Sequence, residues 1–334
     1  AAGYVTEPLL VLQSDRPLGA TIEESLRAEA GIEPSKIRAF SKGTTYYPSP
    51  GGVEELVTSS LVEVAPTFGS RALENRTGFS SAGRVMAIEA QQLLRSAQVC
   101  GLLDARLELN VYELLLQREQ ELGPWIGEQI ELEAATLPAQ TQSLPVLLQR
   151  PKRRLFEKSE ISGDFLELCC STFEELDANA KVSHTADLEY VLPKKLSHNT
   201  LACALLRKCD GVVWIALDDD DLPAAQSFSG NSGLLVAPAW RMPKDIMTMT
   251  PALHWTRSKI EEVYKVVAGR SWELGGRYHP SLGATPEVVH PVAFEVREEH
   301  PGGRQLQWVR RHLVTATLGR SCRLQTSSQT PGWM

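Results

Sequence analysis

Apolar residues along this chain fall into two textures: short saturated runs, and stripes spaced three or four positions apart. Leu9-Leu10-Val11-Leu12, closed by Arg16-Pro17, predicts a buried strand. Ile22 and Leu26, four apart, predict a helix with one apolar stripe; Thr21 would cap it, Glu23 and Glu24 fill its first turn, and Gly31 stops it. Residues 37–40 read as a strand. From about Ser81 the pattern turns helical through Val85, Ile88, Leu93 and Leu94 and ends at Gly101. Asp104 opens another helix through Leu107, Val111, Leu114 and Leu115, which Gly123-Pro124 breaks. A stretch from about 135 to 151, rich in Pro, Gln, Thr and Leu, reads as a linker. In the second half, 165–168, 201–206 and 212–217 are strand-like, and the acidic run 218–221 reads as a solvated turn. Residues 260–268 predict a short helix stopped by Gly269.

One stretch occurs twice. Tyr46-Tyr47-Pro48-Ser49-Pro50-Gly51-Gly52-Val53-Glu54-Glu55 runs on to Val62-Glu63-Val64, and Tyr278-His279-Pro280-Ser281-Leu282-Gly283-Ala284-Thr285-Pro286-Glu287 runs on to Phe294-Glu295-Val296. Without a gap, Tyr46, Pro48, Ser49, Gly51, Glu55, Val57, Glu63 and Val64 fall opposite Tyr278, Pro280, Ser281, Gly283, Glu287, Val289, Glu295 and Val296, with Gly43 opposite Gly275. Self-similarity of this kind implies two copies of one unit. Each copy is a Pro/Gly turn, one Glu just after it, and an apolar strand.

With 334 residues the chain has room for two domains. A net charge of −7 argues against a nucleic-acid binder held by phosphate contacts. No apolar stretch approaches the roughly 20 residues of a membrane helix, and no secretory leader is visible. The six cysteines form no C-x-x-C pair, which fits a reduced, cytoplasmic set without a zinc site. Asp218 to Asp221 lack calcium-loop spacing, Ser229-Gly230-Asn231-Ser232-Gly233 lacks a phosphate-loop Lys, and the histidines show no H-x-x-x-H pair. His279 and His290 flank the second turn, and Trp214, Trp240, Trp255 and Trp272 read as core and rim. The chain opens without Met and enters a strand almost at once, as expected of a domain whose first elements are missing.

The order of motifs — strand ending in Arg-Pro or Arg-x-Pro, acidic helix ending in Gly, strand, turn with a Glu, strand, helix — resembles the Nudix superfamily, in particular its ADP-ribose and nucleotide-sugar pyrophosphatases. Leu234 to Pro243, with Trp240, Arg241 and Pro243, looks like that branch's strand ending in Q-y-R-x-P; Pro48-Ser49-Pro50-Gly51 with Glu55 looks like its S-P-G-x-x-x-E turn. Gly101-Leu102-Leu103-Asp104-Ala105-Arg106 is similar to the start of its final helix. The resemblance implies an α/β (α+β) protein of two mixed-sheet α/β/α sandwich domains. Residues 1–122 would form a truncated first domain with its helices, 123–160 a linker, 161–320 the second domain and 321–334 a tail. A first copy lacking its leading strands would cover its sheet edge by tight interdomain contact or as a homodimer.

The family's signature is G-x5-E-x7-R-E-U-x-E-E-x-G-U, with U a bulky apolar residue; its Glu side chains hold Mg²⁺ on a pyrophosphate. Here Glu24 to Ile32 matches at Leu26, Glu29, Gly31 and Ile32, whereas Ser25 and Ala28 stand where metal-binding Glu are expected. The second copy, 262–270, retains only Gly269. Both boxes are degenerate. By resemblance, Glu24 and Glu29 would hold Mg²⁺, Glu55 and Glu29 would serve catalysis, and Arg16, Ser49, Arg241 and Glu287 would bind a nucleotide-like substrate. Two functions follow: a Mg²⁺-dependent nucleoside-diphosphate-sugar pyrophosphohydrolase with an eroded box, or a non-catalytic nucleotide-binding or scaffold protein on a duplicated Nudix fold.

Overall fold

A computed structural model describes residues 18–49, 55–65, 71–72, 84–85, 88–101, 103–136, 146–147, 149, 163–176, 179–222, 232–281 and 284–310. In chain order the described elements begin with helix α1 (Leu18–Ala30), strands β1 (Ile37–Tyr46), β2 (Val57–Val64), β3 (Arg71–Ala72) and β4 (Arg84–Val85), and helices α2 (Ala90–Gln98) and α3 (Ala105–Gln117). Then come β5 (Leu166–Leu176), β6 (Val182–Pro193), β7 (Asn199–Cys209), β8 (Val212–Asp221), β9 (Gly233–Val236) and β10 (Ala239–Arg241). Helix α4 (Met249–Tyr264) and strands β11 (Val266–Glu273), β12 (Val288–Glu299) and β13 (Gln307–Arg310) follow.

The protein is mixed α/β. Seven strands form one mixed sheet, ordered β11-β12-β7-β8-β13, with β10 beside β7 and β9 beside β8; three further sheets have two strands each. The seven-stranded sheet carries the main core because β7 sets Leu201, Cys203 and Leu205, alternate and fully buried residues, on one face. Strand β12 runs parallel to β7 and contributes Val292, Phe294 and Val296. Helix α4 lies on this core through Ala252, Thr256, Ile260 and Tyr264, a stripe of every fourth residue. No described helix is long and apolar enough to cross a membrane.

Several sequence expectations hold locally. Gly31 does end α1, with a positive φ of 61° that suits glycine. Asp104 caps α3, its carboxylate accepting from the Arg106 and Leu107 N–H groups. Others are corrected. The helix expected over 260–268 instead ends at Tyr264, where Lys265 adopts a left-handed cap, and β11 begins with Val266. The apolar run Val266-Val267-Ala268 pairs with β12 in the sheet, and tertiary pairing overrides the helical spacing. Residues 262–270 therefore straddle a helix end and a strand. The acidic run 218–221 is the end of β8, paired with β9, not a turn. It tolerates burial of Asp218 because Tyr264 Oη donates to its Oδ2 at 2.7 Å and Arg304 Nε lies 2.8 Å from its Oδ1. Helix α2 starts at Ala90, capped by Glu89, and Val85 belongs to β4. The strand expected at 9–12 lies outside the described residues.

Among the described residues, the two copies of the repeated stretch share one pairing register. Strands β1 and β2 are an antiparallel pair in which Tyr46 faces Val57; in the second copy Tyr278 faces Val289, also antiparallel. Those are equivalent positions. The second copy's hairpin approaches α2 closely at Gly276, where a Cβ would collide with the Ala97 carbonyl. The segment 120–136 has no helix or repeating strand. It is nonetheless pinned at both ends: Gly123 N–H donates to Gln91 Oε1 at 2.8 Å, and Ala135 N–H to the Lys208 carbonyl at 2.8 Å.

Candidate functional site at the seam of the two repeats

Each repeat brings a Ser and a Glu to the same end of its strand pair, and the two ends meet. Ser49 Oγ of the first donates to Glu287 Oε2 of the second at 3.3 Å. Reciprocally, Ser281 Oγ of the second donates to Glu55 Oε2 of the first at 3.0 Å. This exchange has the form of a two-fold contact, in which the same pair of groups is used in both directions.

Each Glu also has its own guanidinium. Arg106 Nη2 lies 2.7 Å and 2.9 Å from the two oxygens of Glu55 and 3.2 Å from Ser281 Oγ. Arg106 reaches there because Asp104 caps α3 two residues before it and the 103–104 backbone pairs with the second copy: His279 N–H donates to the Leu103 carbonyl at 2.8 Å. Arg241 Nη2 lies 3.2 Å from Glu287 Oε1, to which Thr200 Oγ1 donates at 2.5 Å. Sheet register delivers that group, since β10 sets Arg241 opposite Thr200 on β7, and β12 starts beside them with Val288 opposite Asn199. The Glu287 side chain is nearly buried and that of Glu55 is a quarter exposed.

Around this lock two tyrosines are hard to ionise. Burial pushes the Tyr46 phenol up to about 12, with Arg106 opposing and Asp104, Glu55 and Glu113 adding to the rise. Burial, reinforced by Glu108 and Glu287, pushes Tyr278 up to about 12 as well. Three donors remain without a hydrogen-bond partner among the described residues: Tyr46 Oη, Arg106 Nε and Arg241 Nη1. His279 Nδ1 meets the Glu287 carbonyl at 2.9 Å and His290 Nε2 meets Asn199 Oδ1 at 3.0 Å, so both rings are held by packing partners.

Four expected site residues thus come together: Ser49, Glu55, Arg241 and Glu287. The others do not join them. Arg16 lies outside the described residues, and so does the Glu29 side chain. Glu24 is exposed on α1. Leu26 of that helix, and Ile32 just past its end, pack with Ile37, Val62 and Val64, at the end of the β1–β2 pair remote from Glu55. With a rise of about 3.3 Å per residue, the two ends of β1 stand about 30 Å apart. Sequence reasoning gave no role to Arg106 or Thr200. Arg106 was detectable as a cation two residues past a strong helix cap; Thr200 carried no signal.

Among the described residues, no three His, Cys, Asp or Glu side chains are grouped as a metal ion would need. Glu24, exposed on α1, stands at the end of the β1–β2 pair remote from Glu55. Both Glu55 oxygens already face a guanidinium, and coordination would require breaking that pair. No family model matches the chain, and no curated protein matches it either.

Proposed function

We propose that the chain is a tandem Nudix-like protein whose repeated turns have become a recognition seam, so that it binds a nucleotide-like oxyanion without metal-dependent hydrolysis. The observation that carries this reading is the reciprocal lock: Glu55 and Glu287 each accept a Ser from the other repeat and pair with an Arg. A carboxylate engaged by a guanidinium and a hydroxyl must break those bonds before it can take up a metal ion. The same pairing leaves Tyr46 Oη, Arg106 Nε and Arg241 Nη1 as unpartnered donors, the groups that a diphosphate's oxygens would satisfy.

The test is calorimetric titration with ADP-ribose, with and without Mg²⁺, followed by a phosphate-release assay on the same samples. Binding that is indifferent to Mg²⁺ and gives no turnover supports the reading, and Tyr46→Phe then weakens binding several-fold with the fold intact. Turnover that requires Mg²⁺ and disappears in Glu29→Gln would restore the pyrophosphohydrolase. Failure to bind under either condition would leave a scaffold.

A further inference from the structure

A cavity that shares no residue with the seam lies where segment 120–136 crosses the edge of the large sheet. Its volume is about 540 Å³, within the range of small-molecule sites, and it is lined by Glu128, Gln129, Glu131, Arg257, Arg270, Ser271 and Trp272. The crossing segment is anchored beyond it by the Glu133 N–H, which donates to buried Glu295 Oε1 at 2.6 Å, and by Leu132 packed beside Trp272. One wall is therefore a fixed strap and the other is α4 with β11.

Charge is distributed unevenly across these walls. Arg270 is committed: it donates to the Glu131 carbonyl, and its guanidinium lies over the Trp272 ring at 5.5 Å. Arg257 is not committed. Its Nε is buried without a hydrogen-bond partner, and it enters no ion pair among the described residues. A buried guanidinium N–H without an acceptor is costly, and native proteins rarely leave one so. On the strap, the Glu128 and Glu131 carboxylates are likewise without an ion-pair partner among the described residues. One guanidinium and two carboxylates, without ion-pair partners among the described residues, thus belong to the lining of one cavity.

A polyanion would be repelled by the strap, and a simple amine would leave Arg257 unanswered. We infer that the cavity binds a small zwitterion, with an oxyanion on Arg257 and a primary ammonium between Glu128 and Glu131. The oxyanion is a carboxylate or a phosphate monoester, since a guanidinium accepts both.

Calorimetric titration of the full chain with phosphoethanolamine and with 4-aminobutyrate tests this, with inorganic phosphate and ethanolamine as half-ligand controls. At least one zwitterion should bind about tenfold or more tightly than either half, and the better of the two identifies the oxyanion. Arg257→Gln should remove this binding without lowering the melting temperature, because its buried Nε has no hydrogen-bond partner among the described residues to lose; the Glu128→Gln, Glu131→Gln double variant should remove the preference over phosphate. Zwitterions that bind no better than phosphate alone, undiminished binding in Arg257→Gln, or a drop in its melting temperature would each overturn the inference.

Discussion

The two copies of the repeat agree at their turns and part company along their strands. In both, the Ser and the Glu of the turn bond across the seam. Farther along, Glu63 lies half-exposed and meets Arg38 and Arg118 only at 3.8 and 4.0 Å, whereas its counterpart Glu295 is buried beneath Arg297 and the Glu133 N–H. Val64 rests in a small cluster with α1; Val296 is part of the main core. The guanidiniums come from different places too. Glu55 takes Arg106 from the helix after its own repeat, and Glu287 takes Arg241 from a strand before its own. A shared arrangement maintained by unrelated donors shows that the requirement at the seam is neutralisation of both carboxylates, and the source of the cation is free to vary.

The sharpest way to break this comparison is to remove each cation in turn. Arg241→Ala leaves nearly buried Glu287 unpaired and should cost about 3–5 kcal/mol in urea unfolding. Arg106→Ala should cost less, about 1–2 kcal/mol, because water reaches the quarter-exposed Glu55. Equal losses would mean that the halves are equally buried in their effect and that the asymmetry is superficial.

The Glu63 and Glu295 pair comes next. Glu295→Gln should cost about 2 kcal/mol and Glu63→Gln no more than about 0.5 kcal/mol. Burial raises the Glu295 pKa, but the Glu133 N–H and the Arg297 and Arg270 donors overcome it and hold the carboxyl below its ordinary value. The lowered folded-state value means that this stabilisation is present at neutral pH and lost as pH falls through the folded pKa. Glu295→Gln should therefore flatten the acid limb of the stability profile, and Glu63→Gln should leave it unchanged.

How much of this was legible in the sequence depended on whether the signal was local. Asp104 and Gly31 act within one turn of chain, and their roles were readable from residue type and spacing alone. The repeat was readable because matched residues fold alike, and Tyr46–Val57 and Tyr278–Val289 pair alike. Partners from elsewhere in the chain were not readable. Nothing in the spacing of Glu55 indicates that Arg106 and Ser281 will meet it, since sheet and helix packing make those contacts across 51 and 226 positions. The 218–221 run misled for the same reason: Arg304 and Tyr264, far along the chain, make a buried Asp218 tolerable in a strand.

A smaller effect separates the serines. Ser281 is buried and bonds both Glu55 and Arg106, whereas Ser49 is half-buried with a single 3.3 Å bond to Glu287. Ser281→Ala should cost about 1–2 kcal/mol and Ser49→Ala about 0.5 kcal/mol. The double variant should be close to additive, because the two serines serve different carboxylates. Strong coupling would show that the seam closes as a single unit.

The smallest effect concerns the paired tyrosines, which stand at equivalent positions with pKa values raised to about 12 for partly different reasons. A phenol is neutral when protonated, so a raised folded-state pKa stabilises the fold below the ordinary value near 10 and loses that contribution as pH rises through the folded value. For Tyr46, Arg106 works against burial; for Tyr278, Glu108 and Glu287 work with it. In Arg106→Gln the Tyr46 phenolate should therefore appear at still higher pH while Tyr278 stays where it was. Phenolate absorbance in that variant, read against Tyr46→Phe and Tyr278→Phe, assigns the two titrations. A downward shift of Tyr46 would mean that water enters the seam once the guanidinium leaves, and that Arg106 seals the site as well as neutralising Glu55.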